Sequence, residues 1–66
     1  MIRNTVSALR AQHGLTQEEL ARRLKVTRQT IISLERNRYT PSLEMAFKVA
    51  AAFGKSVEEV FSYSLT

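Results

Sequence analysis

The sequence predicts an all-α fold of five short helices, and three observations predict it. Apolar residues recur at three- and four-residue spacings along most of the chain. Gly14, Pro41 and Gly54 cut those stretches into helix-sized pieces. Two Ser/Thr-x-x-Glu boxes, Thr16 to Glu19 and Ser56 to Glu59, mark helix starts. In each, a hydroxyl and a carboxylate satisfy backbone N–H groups at the start of a helix. Length bounds the rest: 66 residues, 1–66, are enough for a single domain. A chain this short buries only roughly 60% of its unfolded surface, so pairing with a second copy would help it.

Each element follows from its residues. Ile2, Val6 and Leu9 share the stripe of a first helix ending at His13-Gly14, where glycine suits a left-handed cap. Thr16 caps a second helix with Leu20, Ala21 and Leu24 inward. Lys25-Val26 is a short turn, and Thr27 caps a third helix with Ile31 and Leu34 inward. Asn37 to Thr40 reads as a loop. Ser42 caps a fourth helix whose core stripe is Leu43, Ala46, Phe47, Ala50 and Phe53. Ser56 opens a short fifth helix carrying Val57, Val60 and Phe61. The tail Ser62 to Thr66 alternates polar and apolar residues, which is the period of a strand.

Composition narrows the function. Hydrophobic residues make up 44%, which is globular rather than disordered. No cysteine is present, so disulfides and thiolate metal sites are excluded. No apolar run approaches the ~20 residues of a membrane span, and Met1 to Asn4 lead into a mixed helix rather than a secretory leader. A cytoplasmic location is expected. The single histidine, His13, falls at a helix end, where an imidazole can cap carbonyls. With no paired carboxylates, no phosphate loop and no metal-ligand set, no enzyme activity, cofactor or metal is expected. The net charge of +4 is uneven: residues 1–38 carry +5 and residues 39–66 carry −1. A basic half suggests a face that meets a polyanion.

Gln17 to Arg36 hold the motif that gives this charge a purpose. Two short helices joined by a three-residue turn let one helix cross a DNA backbone while the next enters the major groove. On a helical wheel Ile31 and Leu34 fall together, with Glu35 beside Ile31. Arg28, Gln29, Ile32, Ser33 and Arg36 fall opposite. Arginine donates two hydrogen bonds to guanine, and glutamine pairs bidentately with adenine. Arg28, Gln29, Ile32 and Ser33 are therefore the candidate base contacts. Ile32 is either a thymine-methyl contact or a scattered surface residue. Gln17, Thr27, Arg36, Arg38 and Thr40 are the candidate phosphate contacts, with Arg10, Arg22 and Arg23 as lesser ones. Glu35 needs a cation, and Arg10 is the candidate. Phe61, Tyr63 and Leu65 exceed what a small monomer core needs. They are expected to pack across a two-fold axis with Ile2, in a contact drawn from residues 57–66. The other reading is that Phe61 closes the monomer core and the tail frays.

The run Leu15 to Glu35, with Tyr39 to Leu43 and Ala50 to Gly54, resembles the Cro/C1-type, or Xre, regulators over nearly the whole chain. The resemblance implies a lambda-repressor-like fold of five helices, a homodimer and an inverted-repeat DNA operator. It also implies DNA contacts at Gln17, Arg28, Gln29, Ile32 and Ser33, and an ion pair between Arg10 and Glu35. The short length and tail are similar to one-domain members typified by the cytolysin-operon repressor. That likeness implies a small antiparallel β pair between Ile2-Arg3 and Ser62-Tyr63-Ser64. Repression is the expected function. An antitoxin that binds a toxin and autoregulates its operon is an alternative, as is a restriction-modification controller. Two residues depart from the family pattern. Lys25 stands where glycine is common, at a turn requiring positive φ, and Arg36-Asn37 replaces Asn-Gly.

Overall fold

The computed structural model describes residues 2–63. Five helices follow a short first strand: β1 (Ile2–Asn4), α1 (Val6–Gln12), α2 (Gln17–Leu24), α3 (Arg28–Glu35), α4 (Leu43–Ala52) and α5 (Val57–Val60), with β2 (Phe61–Tyr63) last. The fold is mostly helical, with β1 and β2 antiparallel in a two-stranded sheet. Ile2 faces Tyr63, Arg3 faces Ser62 and Asn4 faces Phe61. Ile2 therefore belongs to a strand and not to the first helix. The helix starts instead at an Asx turn, in which Asn4 Oδ1 accepts the Val6 N–H at 3.0 Å. Ser64, Leu65 and Thr66 lie outside the described residues.

The helix starts are set by short-range chemistry. The Thr16, Thr27, Ser42 and Ser56 hydroxyls each accept a first-turn N–H. At Thr16 and Ser56 the box is reciprocal, with Glu19 and Glu59 accepting the cap residue's own N–H at 2.9 and 2.8 Å. Those backbone hydrogen bonds hold both carboxyls below the usual glutamate value, the cap hydroxyls adding to the effect.

The helix ends share one geometry. At α1 to α4 a residue with positive φ folds the chain back: Gly14 (65°), Lys25 (59°), Asn37 (57°) and Gly54 (65°). In each case the residue after it bonds a carbonyl five positions back, as in Leu15 to Arg10, Val26 to Ala21, Arg38 to Ser33 and Lys55 to Ala50. These are Schellman motifs, which satisfy carbonyls that the helix leaves unpaired. Lysine fits the motif only with left-handed strain, whereas asparagine tolerates it better.

The core is built from Val6, Leu9, Leu15, Leu20, Leu24, Ile31, Leu34, Met45, Val49, Phe53 and Val60, with Ala21 and Ala50. The buried face of α4 differs from the expected stripe. Leu43 is 72% and Phe47 59% exposed, while Met45 and Val49 point inward. The real face is turned by about 60° at 100° per residue. Only Glu44 and Lys48 interrupt the apolar residues of α4, so periodicity alone does not choose a side. The His13 ring packs on Phe53, with centroids 5.1 Å apart, and joins the ends of α1 and α4.

The helix ends and the helix starts each give a prediction. Lys25→Gly should stabilise the fold by about 1 kcal/mol in urea denaturation, because glycine removes the left-handed penalty. A loss of stability would mean that the lysine side chain contributes more than its strain costs. The lowered Glu19 and Glu59 values mean that both groups stabilise the fold above the usual glutamate pKa. That contribution is lost as pH falls through their folded values. Glu19→Gln with Glu59→Gln should flatten the fall in melting temperature from pH 5 to below about pH 4. An unchanged profile would assign acid sensitivity to other carboxylates.

Candidate nucleic-acid interface

Helix α3 is anchored by Ile31 and Leu34, both fully buried, and this fixes which face it turns outward. On that face Arg28 and Gln29 are exposed and Ile32 and Ser33 half-buried. The half-buried state of Ile32 accounts for an apolar side chain there, since part of its surface already rests on protein. Thr27 starts the helix: its Oγ1 accepts the Thr30 N–H at 3.2 Å and lies 3.0 Å from the Thr30 hydroxyl. The sequence marks Thr27 as the cap, and Thr30 is its added partner in the structure.

A shallow groove runs beside this helix, lined by Thr27, Gln29, Thr30, Ser33, Arg38 and Tyr39. No acid lines it. The loop after α3 thus brings Arg38 next to Gln29 and Ser33, while Arg36 and Thr40 are exposed nearby in sequence. On the other side, an open cleft is lined by Arg10, Thr16, Gln17, Glu18 and Arg28. It joins the start of α2 to the start of α3. Arg22 and Arg23 are exposed on α2, and Arg23 lines a separate cleft with Leu24, Lys25, Lys48, Ala51 and Ala52. That cleft shares no residue with the two beside α3.

One ionic node ties the motif together. Arg10 Nε donates to Glu35 Oε2 at 2.7 Å, and Nη2 donates to Oε1 at 3.3 Å. Arg10 Nη1 reaches the Leu15 carbonyl at 2.9 Å. Gln17 Nε2 donates to Glu35 Oε1 at 3.0 Å. The Glu35 side chain is only 8% exposed and that of Arg10 19%. The bond to Glu35 raises the Arg10 pKa above its ordinary value, against the opposing effect of burial. Gln17 therefore spends one amide N–H on Glu35, leaving the other, with its helix-start backbone N–H, for a ligand. The structure separates the remaining candidates. Phe61 packs partly against the core, Tyr63 is exposed, Ile2 is half-buried, and Leu65 lies outside the described residues.

Asn4 is a further site-forming residue. Its Nδ2 donates to the Leu34 carbonyl at 2.8 Å and to Asn37 Oδ1 at 3.1 Å, at the very end of α3. An asparagine ahead of a helix signals a cap, but no local pattern reveals bonds to residues thirty positions away.

A family model described as helix-turn-helix matches residues 6–60. The chain belongs to that family, in its Cro/C1-type branch. As a helix-turn-helix protein it is a transcriptional regulator with a DNA-binding fold and not an enzyme. Among its relatives is an HTH-type transcriptional regulator of Methanocaldococcus jannaschii, 50% identical over 62 residues, covering 94% of each chain. An immunity repressor protein of Bacillus phage phi105 is 36% identical over 55 residues, covering 83% of this chain and 38% of the repressor. The clp gene regulator ClgR of Corynebacterium glutamicum has a similar structure, with a TM-score of 0.76 and 35% identity, over 82% of this chain and 57% of that one. Among the described residues no helix is long and apolar enough to cross a membrane.

The ionic node gives a stability prediction for this helix-turn-helix protein. Glu35→Ala leaves a largely buried guanidinium and the Gln17 amide without their shared acceptor. The expected cost is about 2 kcal/mol, read from urea denaturation. A change under about 0.5 kcal/mol would reduce the pair to the value of a surface contact.

Proposed function

We propose that this regulator is a repressor that binds an inverted-repeat operator as a homodimer, with α3 in the major groove. The observation that carries the reading is the exposure of Arg28 and Gln29 together on the first turn of a helix anchored on its opposite face. Recognition helices meet base edges with their first residues. Arg28 is matched to guanine and Gln29 to adenine, with Ile32 against a thymine methyl and Ser33 beside it. Gln17, Thr27, Arg36, Arg38 and Thr40 are matched to phosphates on either side, in keeping with the two clefts that flank α3. The phage immunity repressor among the relatives supports repression. Residues 1–66 act as one domain in this reading, in the cytoplasm, where the operator is.

The homodimer rests on apolar surface. Leu43, Phe47 and Tyr63 are more than half exposed, and Tyr39 is 39% exposed. Of these, Tyr63 stands on the terminal sheet opposite Ile2, where a second copy would cover it. The proposed contact draws on the terminal segments, with Tyr63, Ile2, Phe61 and Leu65. A two-fold axis there sets two copies of α3 about 34 Å apart, one turn of DNA.

Selection of bound sites from random duplexes should return an inverted repeat. On that site Arg28→Ala should cost about 1–3 kcal/mol and relax the choice at one base pair per half-site. Equal weakening on every sequence would make Arg28 a phosphate contact. Affinity should fall steeply with salt as counterions are released, and a flat response would contradict DNA binding. Sedimentation should give a dimer, and a monomer at high micromolar concentration would remove the two-fold model.

A further inference from the structure

The amide of Asn4 stands at a junction. Its residue lies in β1, opposite Phe61 of β2, so its backbone belongs to the sheet formed by the two ends of the chain. Its side chain leaves that sheet and closes the end of α3. Both of its donors are used and its oxygen is engaged: Oδ1 accepts Val6 N–H, and the two N–H groups of Nδ2 meet Leu34 O and Asn37 Oδ1. The Leu34 carbonyl also accepts the Asn37 N–H at 3.1 Å, so both of its lone pairs are filled. Asn37 is the left-handed residue that turns the chain out of α3 into the loop holding Arg38, Tyr39 and Thr40. One side chain therefore fixes where α1 begins, where α3 ends and where the following loop sets out.

We infer that Asn4 is a positioning residue for DNA binding, coupling the terminal sheet to the loop that carries Arg38 and Thr40. The inference rests on the proposed phosphate role of that loop. Arg28 and Gln29 sit at the opposite end of α3, started separately by Thr27 and anchored by Ile31. Asn4 thus acts on the backbone contacts of the loop and leaves the Arg28 and Gln29 base contacts in place. A loop freed from Asn4 no longer holds Arg38 in place for a phosphate, and the loss of that contact weakens every sequence alike. The sheet edge at Ile2 and Tyr63 becomes a second input, because anything that frays or braces β1 moves Asn4 and the loop with it.

Asn4→Thr isolates this role without altering charge. Threonine suits a strand, and its hydroxyl can still accept the Val6 N–H, but it cannot reach Leu34 or Asn37. Binding to the selected operator and to a random duplex is measured for this variant across a salt series, at temperatures where it is fully folded. The expected result is a roughly tenfold loss on both duplexes. The salt slope should become shallower by about one, and the operator-to-random ratio should be kept. Wild-type affinity and slope in a folded Asn4→Thr protein would overturn the inference, as would a loss confined to the operator. If Asn4→Thr does not fold, Asn37→Gly decides. Glycine suits the left-handed turn and removes only the Asn37 acceptor, so a smaller loss of the same kind is expected and unchanged binding refutes the tie. Failure of the wild type itself to bind either duplex would instead defeat the DNA-binding model on which the inference rests.

Discussion

The pair between Arg10 and Glu35 is the constraint on which the rest depends. If α3 meets DNA as proposed, an outward carboxylate on it would repel that DNA. Here the Glu35 carboxylate is turned inward and given three hydrogen bonds, two from Arg10 and one from Gln17. The fork of the guanidinium fixes direction as well as distance, which a lysine would not do. Because Arg10 also holds the Leu15 carbonyl, the node joins α1, the loop before α2, the start of α2 and the end of α3. Four segments are thereby set relative to one another by a single charge pair, shielded on one side by the core.

The two ends of α3 are controlled by different means, and this division organises the function. Its start depends on Thr27, whose hydroxyl serves the first turn while the Arg28 and Gln29 side chains are left free. Its end depends on groups from far along the chain: Arg10 through Glu35, and Asn4 through Leu34 and Asn37. In the proposed reading Arg28 and Gln29 meet bases from the locally built end, while Arg38 and Thr40 meet phosphates from the loop that leaves the end held by tertiary structure. Substitution at exposed Arg28 or Gln29 therefore leaves the bonds that hold the end of α3 untouched.

Much of this was legible because caps are short-range chemistry. Thr16 with Glu19, Thr27, Ser42 and Ser56 with Glu59 announce helix starts within four residues, and Gly14 and Gly54 announce ends. Lys25 and Asn37 sit in left-handed geometry at the two places where the resemblance called for it. What could not be read depends on distance or degeneracy. Helix α4 is apolar nearly all round, so its sequence is compatible with more than one buried face, and packing against α2 and α5 selects the one centred on Val49. Ile2 continues a helical spacing backwards, yet pairing with Tyr63 takes it into a strand. The outward residues of α3 could be named from a wheel. The tie from Asn4 to Leu34 and Asn37 could not, since those partners lie thirty or more residues away.

The proposed function requires that α3 and its flanking loops be the surface that meets DNA. Titration of isotope-labelled protein with its selected duplex, followed by amide chemical shifts, tests this most directly. The predicted changes cluster at residues 16–18, 27–33 and 37–40, with little effect at Arg23, Lys48, Ala51 and Ala52 around the separate cleft. Large shifts at that cleft with α3 undisturbed would contradict the account.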